Sequence, residues 1–252
     1  MKYGYYLDSL TVTLSFCWLR GLIRRIFMKL LYLGKTKNVY DLEDGRYLLK
    51  FKDDATGEDG VFDPGSNQVG LMISGAGRAG LKMTAYFMNM INGKGIKTHF
   101  ISADLDRATM TVHPAKRFGK GLEVVCRFKA FGSFIRRYGD YTEPGALLPD
   151  VVEITLKDDE RGDPLINKEA LAALNILKPA EYDVLSEMTK KICRIIKDEL
   201  ARKGMDLYDI KLEFGRVEGQ ICLIDEISGG NMRVFQDGAP LDPLILSERV
   251  TA

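Results

Sequence analysis

The sequence lacks an excess of charge of either sign. Among its 252 residues, 36 Lys and Arg stand against 35 Asp and Glu, and the net charge is +1. Nucleic-acid binding usually leaves a basic composition, so this balance argues against a DNA-binding protein, and we expect no nucleic-acid partner. The four cysteines lie far apart with no C-x-x-C pair, which argues against a zinc site or a disulfide framework. We interpret them as reduced thiols of a cytosolic protein.

A long apolar run is also missing near the start of the chain. The apolar stretch at residues 10–19 is shorter than the ~20 residues that span a bilayer. A basic stretch at residues 20–25 follows this run, whereas a secretory signal places its basic residues before the apolar run. Two interpretations of residues 1–27 stay open: an extension outside the fold, with a start at Met28, or an amphipathic helix on a membrane surface or a partner. Neither predicts stable membrane insertion.

The remaining chain is long enough for one large domain or for two small ones that share a cleft. Residues 30–51 follow a strand–turn–strand pattern, and residues 52–65 read as a polar, Gly-rich loop. Apolar residues at helical spacing predict a long helix over residues 179–203, with a hairpin after it. This order predicts an α+β protein with a β-rich lobe, residues 28–113, and a mixed α/β lobe, residues 114–252, that close on a cleft.

A basic turn contains Gly34, Lys35 and Lys37. Its G-K-T letters match the end of a phosphate loop, but the first glycine of that motif would fall at Lys29, so the sequence has no Walker loop. Extended sequence follows, so phosphates would meet a strand turn with its backbone N–H groups and ammonium charges. A surface turn with solvated lysines is the alternative.

Residues 75–80 spell G-x-G-x-x-G and precede a helix predicted at residues 81–91. A dinucleotide site requires a βαβ unit, whereas the residues before this motif read as antiparallel hairpins. We therefore expect a flexible loop and a helix start that line the cleft.

A hairpin near the C-terminus concentrates acidic residues. Strand alternation places Asp209, Lys211 and Glu213 on one face, and the second strand ends in Asp225 and Glu226. A two-residue turn sets Glu226 opposite Lys211, and a three-residue turn sets Asp225 there. Both registers give an acidic cluster with one lysine, which suits Mg²⁺ held against nucleotide phosphates. A solvated strand face is the alternative.

A further strand carries Glu123 and Arg127 on one face, and Ser133 follows it. These groups could bind a phosphate or carboxylate, and a salt-bridged strand followed by an exposed basic helix is the alternative. His99 and His113 have no partners at the spacing of a ligand set or a triad, and we assign them structural roles.

Seven short motifs occur in a fixed order between residues 30 and 235. They are L-G-K-T-K-x-V-Y, F-K-D-D-A-T, L-E-V-V-x-R, G-S-x-x-R-R-Y-G, L-K-D-D-E-R-x-D-P, D-x-K-L-E-F-G and D-E-I-S. The series resembles the phosphoribosylaminoimidazole-succinocarboxamide synthase (SAICAR synthetase) family. The resemblance implies a two-lobed fold related to ATP-grasp and protein-kinase lobes, with ATP in the first lobe and substrate and metal in the second. It also implies an ATP-dependent ligase of purine biosynthesis that joins carboxyaminoimidazole ribonucleotide (CAIR) to L-aspartate.

The resemblance also assigns roles by position. It gives Lys35 and Lys37 to the ATP phosphates, Asp225 to Mg²⁺, and Lys211 and Glu213 to the phosphate and metal centre. It also implies that five residues bind the imidazole ribonucleotide and its phosphate: Glu123, Arg127, Ser133, Asp209 and Arg233. ATP, Mg²⁺, CAIR and L-aspartate are thus the expected ligands of a cytoplasmic enzyme, and the sequence leaves room for a homo-oligomer.

Several departures from the family pattern lie near the expected substrate positions. Gly229 and Gly230 stand where the family has Pro-Asp, residues 77–82 lack two asparagines, and Phe128 replaces another. The chain also stops at Ala252, before a helical segment that is usual in the family. The pattern predicts a divergent member, and it leaves two alternatives: ligation of a different amine, or a non-catalytic nucleotide-binding paralogue.

Overall fold

The computed structural model describes residues 28–58, 61–64 and 69–252. Both interpretations of residues 1–27 lie outside the described residues. The described chain has the mixed α+β composition that the sequence predicts. In this part of the chain, no helix is long and apolar enough to cross a membrane.

The first half of the described chain consists mainly of antiparallel strands. They are β1 (Lys29–Leu33), β2 (Lys37–Asp41), β3 (Tyr47–Phe51), β4 (Asp54–Glu58), β5 (Val61–Phe62), β6 (Val69–Met72), β7 (Phe100–Asp104) and β8 (Thr109–Val112). Five of them form a sheet in the order β1-β2-β3-β8-β7, and three form a small sheet in the order β5-β4-β6. The loop predicted at residues 52–65 is therefore wrong for β4 and β5. Among residues 54–57 of β4, whose burial is described, Ala55 and Gly57 are the buried ones, so the apolar signal of a strand is weak there.

Helix α1 (Ala76–Gly93) begins in the G-x-G-x-x-G segment. The carboxylate of Asp53 accepts hydrogen bonds from the N–H groups of Gly75 and Gly77, each at 3.0 Å. A Cβ at Gly77 would lie 2.7 Å from the carbonyl oxygen of Lys52, so only glycine permits this close approach. The N–H groups that a dinucleotide phosphate would need are thus occupied by Asp53. The motif is a helix start, as predicted, but residues 76–80 already belong to α1, so the flexible loop expected there is wrong.

The second half contains a seven-stranded sheet. Its strands are β9 (Lys116–Arg117), β10 (Leu122–Lys129), β11 (Leu147–Leu156), β12 (Asp206–Val217), β13 (Gln220–Ile224), β14 (Met232–Gln236) and β15 (Ala239–Pro240). The order is β11-β10-β12-β14-β15, and β9 and β13 also pair with β12. The helices are α2 (Ser133–Tyr138), α3 (Lys168–Ala173), α4 (Pro179–Arg202) and α5 (Pro243–Thr251), with a 3₁₀ turn at Asp159–Arg161. Strand β12 is therefore central to the sheet.

Two apolar cores flank α1. The larger core joins the seven-stranded sheet to α4, whose buried face includes Ile192, Ile196 and Leu200. The smaller core lies under β3 and β8 and receives Leu81 from α1, whereas Phe87 of the same helix enters the larger core. Helix α1 thus fixes the five-stranded sheet beside the seven-stranded one, and polar residues of both sheets meet where they adjoin.

Candidate active site

Lys37 on β2 is the centre of the contact between the two sheets. Its ammonium group binds the carboxylates of Glu226 and Asp225, the latter at 3.2 Å, and its side chain is only 9% exposed. Burial alone would lower the pKa of Lys37, but the charges of Asp225 and Glu226 outweigh it and hold the pKa above its usual value. Gly34 positions this lysine, because a Cβ there would lie 2.3 Å from the carbonyl oxygen of Lys37.

Asp225 lies at the end of β13 in a left-handed backbone conformation, with a φ of 65°. Burial opposes its ionisation, but Lys37 and Lys157 outweigh burial, so the pKa of Asp225 lies below its usual value. Its carbonyl oxygen is 3.2 Å from Nε2 of His99, which is buried. Because burial lowers the pKa of His99 to about 4, the imidazole is neutral at pH 7 and donates to this carbonyl. His99 therefore has a structural role, as predicted.

Glu213 on β12 lies near Asp225 and forms an ion pair with Lys157 at the end of β11. Burial, together with the charge of Asp225, raises the pKa of Glu213, whereas Lys157 opposes the shift. The carboxylates of Glu213, Asp225 and Glu123 hold the pKa of Lys157 above its usual value despite burial. The cluster therefore alternates carboxylates and ammonium groups.

The pair Glu213 and Asp225 fits the donor set of a magnesium site. Among the described residues, no group of three or more His, Cys, Asp or Glu side chains could hold a metal ion. Mg²⁺ is usually bound by one or two carboxylates together with substrate phosphates, so a complete protein cage is not required. Two neighbouring, partly buried carboxylates with hard oxygen donors meet this requirement.

The hairpin of β12 and β13 has the register of a two-residue turn, since Val217 pairs with Gln220. The expected partner of Lys211 is nevertheless wrong. The Nζ of Lys211 binds Glu123 on the neighbouring strand β10 at 2.9 Å, and Glu226 binds Lys37 instead. The reason is that β13 ends at residue 224, so the chain leaves the ladder before Glu226.

A cavity of about 130 Å³ lies over the polar face of β10, β12 and β14. All five residues expected at the imidazole ribonucleotide line it, together with Lys211: Glu123, Arg127, Ser133, Asp209 and Arg233. Arg127 is 2% exposed and donates to Asp209 and Ser133 at 2.9 Å each and to Glu153 at 2.6 Å. Its geometry is therefore fully determined by its partners.

Asp209 lies between two guanidinium groups. Nη1 of Arg233 binds both of its carboxylate oxygens, at 3.0 and 3.1 Å, and Nη2 of Arg233 binds Asp63 at 2.9 Å. Burial raises the pKa of Asp209, although Arg233 and Arg127 oppose the shift. A Cβ at Gly132 would lie 2.9 Å from the Arg233 guanidinium, so this glycine leaves the room that the arginine occupies.

Lys35 is separated from the cluster around Lys37. Its Nζ lies 2.6 Å from Asp159 in the 3₁₀ turn, and its side chain is 43% exposed. Of the two lysines predicted at the ATP phosphates, the structure brings Lys37 to Asp225, whereas Lys35 lies at the surface beside the 3₁₀ turn.

Sequence reasoning assigned no role to Glu153, Lys157, Asp63 or Asn231. Glu153 binds Arg127 and Arg137, and Asn231 lines the same cavity as both arginines. The L-K-D-D-E-R motif was a signal for Lys157, whereas Glu153 lies on β11, a strand with little apolar alternation.

A second cavity, of about 60 Å³, is lined by two of the segments where the sequence departs from the family pattern. Gly77, Gly80, Gly229 and Gly230 line it, together with Glu226. A Cβ at Gly229 would lie 2.6 Å from Cβ of Pro243, so no larger residue fits without a shift of α5. The two altered segments therefore meet on one side of the Lys37 cluster.

The SAICAR synthetase family model matches residues 30–240. The chain belongs to the SAICAR synthetase family. A phosphoribosylaminoimidazole-succinocarboxamide synthase of Clostridium tetani is 57% identical over 225 residues, which cover 88% of this chain and 99% of that protein. The membership predicted from the motif series is confirmed.

Solved structures of the SAICAR synthetase family share the fold. A SAICAR synthetase (Type-2) in complex with ADP is 32% identical with a TM-score of 0.77, and the match covers 87% of this chain and 97% of that one. The Type-1 crystal structure of the Pyrococcus horikoshii OT3 enzyme is 30% identical with a TM-score of 0.71, covering 89% and 97%. The two-lobed SAICAR-synthetase-like fold is therefore confirmed, and the boundary at residue 113 stays a prediction.

Proposed function

We propose that this chain is an ATP-dependent ligase that joins CAIR and L-aspartate to give SAICAR, ADP and phosphate. The observation that carries the proposal is the ion cluster of Lys37, Asp225 and Glu226 beside a cavity lined by the buried Arg127 and the partly buried Arg233. Such a pair of sites suits the transfer of a phosphoryl group to an anionic substrate. The family membership and the related ADP complex support the same reaction.

Lys37 and Lys35 bind the ATP phosphates in this proposal. Lys37 is held charged by its carboxylates, so it presents a fixed positive charge where the transferred phosphoryl group becomes more negative. Lys35 exchanges Asp159 for a phosphate oxygen when the nucleotide enters. Lys211 is the third basic group, and Glu123 directs it towards the cavity that holds CAIR.

Glu213 and Asp225 hold Mg²⁺ in this proposal. The ion supplies positive charge to the β- and γ-phosphate oxygens when it is bound. Asp225 contributes an ionised carboxylate at neutral pH, since Lys37 and Lys157 lower its pKa. Lys157 forms an ion pair with Glu213 and so offsets part of the negative charge of the two carboxylates.

The large cavity binds CAIR. Arg127 and Arg233 present planar donor groups that match phosphate and carboxylate oxygens, and Ser133 adds a hydroxyl at the start of α2. Asp209 orients both guanidinium groups, because it binds each of them. Glu123 remains available to a ribose or imidazole donor beside Lys211.

The reaction follows from these positions. A carboxylate oxygen of CAIR attacks the γ-phosphorus, the bond to the bridging oxygen breaks, and ADP leaves. The aspartate amine then attacks the acyl carbon and loses its proton to solvent. Phosphate leaves with one oxygen of the original carboxylate. The protein contributes alignment and positive charge rather than a covalent intermediate of its own.

A screen of amines at fixed ATP and CAIR tests the substrate. We expect L-aspartate to give the highest kcat/KM for ADP release, with D-aspartate, L-glutamate, L-asparagine and L-alanine as matched comparisons. We chose to vary the amine because the altered segments at Gly77–Gly80 and Gly229–Gly230 line one cavity together with Glu226. Preference for another amine would favour the first alternative, and the absence of ADP release with every amine would favour a non-catalytic paralogue.

The cytoplasmic location belongs to the same proposal. Cys126, Cys193 and Cys222 are free and buried, as expected of thiols kept reduced in the cytosol. A homo-oligomer stays a prediction of the sequence.

A further inference from the structure

Asn231 lies between the end of the acidic turn and the start of β14, and its side chain joins three backbone groups. Its Nδ2 donates to the carbonyl oxygens of Glu226 at 2.7 Å and Lys211 at 3.0 Å. Its Oδ1 accepts from the N–H of Ser228 at 2.9 Å. Both amide hydrogens and the carbonyl oxygen of this one side chain are therefore used.

The backbone of Asn231 adds two more bonds to the same neighbours. Its carbonyl oxygen accepts from the N–H of Lys211 at 2.8 Å, and its N–H donates to the carbonyl oxygen of Ser228 at 3.2 Å. Lys211 is thus held by Asn231 through both its N–H and its C=O. The residue fixes one point of β12 relative to the turn.

The groups joined in this way belong to different parts of the candidate site. Lys211 lines the large cavity and binds Glu123. Glu226 lines the small cavity, binds Lys37 and accepts a hydrogen bond from the Ser228 hydroxyl at 2.7 Å. A change at Asn231 would therefore shift the charge that faces one cavity relative to the charge that faces the other.

The chemistry requires an amide at this position rather than a residue of similar shape. Two carbonyl oxygens face Nδ2, and only a donor can satisfy both. An aspartate would keep the volume and the bond from the Ser228 N–H, but it would place a carboxylate oxygen against the carbonyls of Glu226 and Lys211. The substitution Asn231→Asp therefore removes the hydrogen-bond donor while it keeps the volume of the side chain.

We propose that Asn231 is a positioning residue that holds Lys211 and the Asp225–Glu226 turn in the relative arrangement required for phosphoryl transfer. The inference rests on the proposed function, in which Lys211 faces CAIR and Glu226 binds Lys37, the lysine at the ATP phosphates. A misplacement of about 1 Å of reacting groups can cost a hundredfold in rate. We expect the loss of Asn231 to lower kcat rather than to raise KM, since the groups that bind CAIR and ATP all remain.

The test compares Asn231→Asp and Asn231→Ala with the wild-type protein in the ADP-release assay. We expect kcat to fall about tenfold to a hundredfold in both variants, with KM values for ATP and CAIR within about threefold. Asn89→Asp is the control, because this exposed asparagine on α1 donates only to the carbonyl oxygen of Ala85 among the groups described. Rates are divided by the folded fraction measured by circular dichroism.

Four outcomes would overturn the proposal. They are an Asn231→Asp variant with wild-type kcat, a rise in the KM for CAIR at constant kcat, a rate loss equal to that of Asn89→Asp, and a loss explained entirely by unfolding. A wild-type protein that uses another amine would contradict the proposed function only, since the ratio between variants and wild type can still be measured with that amine. No ADP release from the wild-type protein would overturn both.

Discussion

Asp225→Asn is expected to lower the rate of ADP release roughly a thousandfold, because it removes a carboxylate that would hold the positive ion against the negative charge developing on the phosphates. The amide keeps the shape of the side chain but loses the negative charge that pairs with Lys37 and that binds Mg²⁺ in our proposal. Lys37 keeps Glu226 as a partner, so the contact between the two sheets survives. The measurement is kcat for ADP release at saturating ATP, CAIR and L-aspartate.

Asp237→Asn is the matched control for this prediction. Asp237 has a φ of 51° and Asp225 a φ of 65°, so both substitutions introduce asparagine into a left-handed backbone, which asparagine tolerates. Asp237 is exposed at the turn between β14 and β15. We expect it to retain wild-type kcat. Equal rates for the two variants would contradict the role of Asp225.

Arg127→Met lowers the free energy of unfolding by about 3 kcal/mol, because it removes one member of a buried ion network. The guanidinium is only 2% exposed and binds Asp209, Glu153 and Ser133. Methionine fills part of the volume but satisfies none of these partners. Urea denaturation at pH 7 measures the change, and the KM for CAIR should rise in the same variant because a cavity donor is lost.

The loss of stability in Arg127→Met should depend on pH, and the pKa of Asp209 sets the direction of this dependence. Burial already raises the pKa of Asp209, and the loss of Arg127 raises it further. The variant's native state then takes up a proton at higher pH than its unfolded state, so protonation stabilises it as the pH falls. We expect the difference in unfolding free energy between variant and wild type to be smaller at pH 5 than at pH 7.

Arg202→Met is the control for the buried arginine. Arg202 is paired with Glu199, but its side chain is 69% exposed. Exposed ion pairs contribute between about 0 and 1 kcal/mol. If Arg202→Met lowered the free energy of unfolding as much as Arg127→Met does, burial of the arginine would not explain the size of the effect.

The face of β12 could be predicted from the sequence because one strand determines it. Alternation separates Asp209, Lys211 and Glu213 from the three apolar residues between and after them, and the structure places those apolar residues in the larger core. The helix at residues 179–203 was predictable for the same reason, since its buried face repeats at helical spacing. Both predictions rest on the local spacing of apolar residues along the chain.

The partners of these residues could not be predicted, because they come from other strands. Lys211 meets Glu123, and Lys37 meets Glu226, across sequence separations of 88 and 189 residues. Glu153 was missed because β11 is an edge strand with mostly half-buried residues, so its pattern lacks a clear apolar face. The motif series assigned roles to these residues, which stay predictions, and their pairing depends on how the two sheets pack against α1.

Transfer of ¹⁸O from the CAIR carboxylate tests the central claim most directly. The protein is incubated with ATP, L-aspartate and CAIR labelled with ¹⁸O in the carboxylate, and the released phosphate is examined by mass spectrometry. We predict one labelled oxygen in each phosphate formed, with ADP, phosphate and SAICAR in equal amounts. Unlabelled phosphate, or ADP formed without SAICAR, would contradict ligation through phosphorylation of the carboxylate.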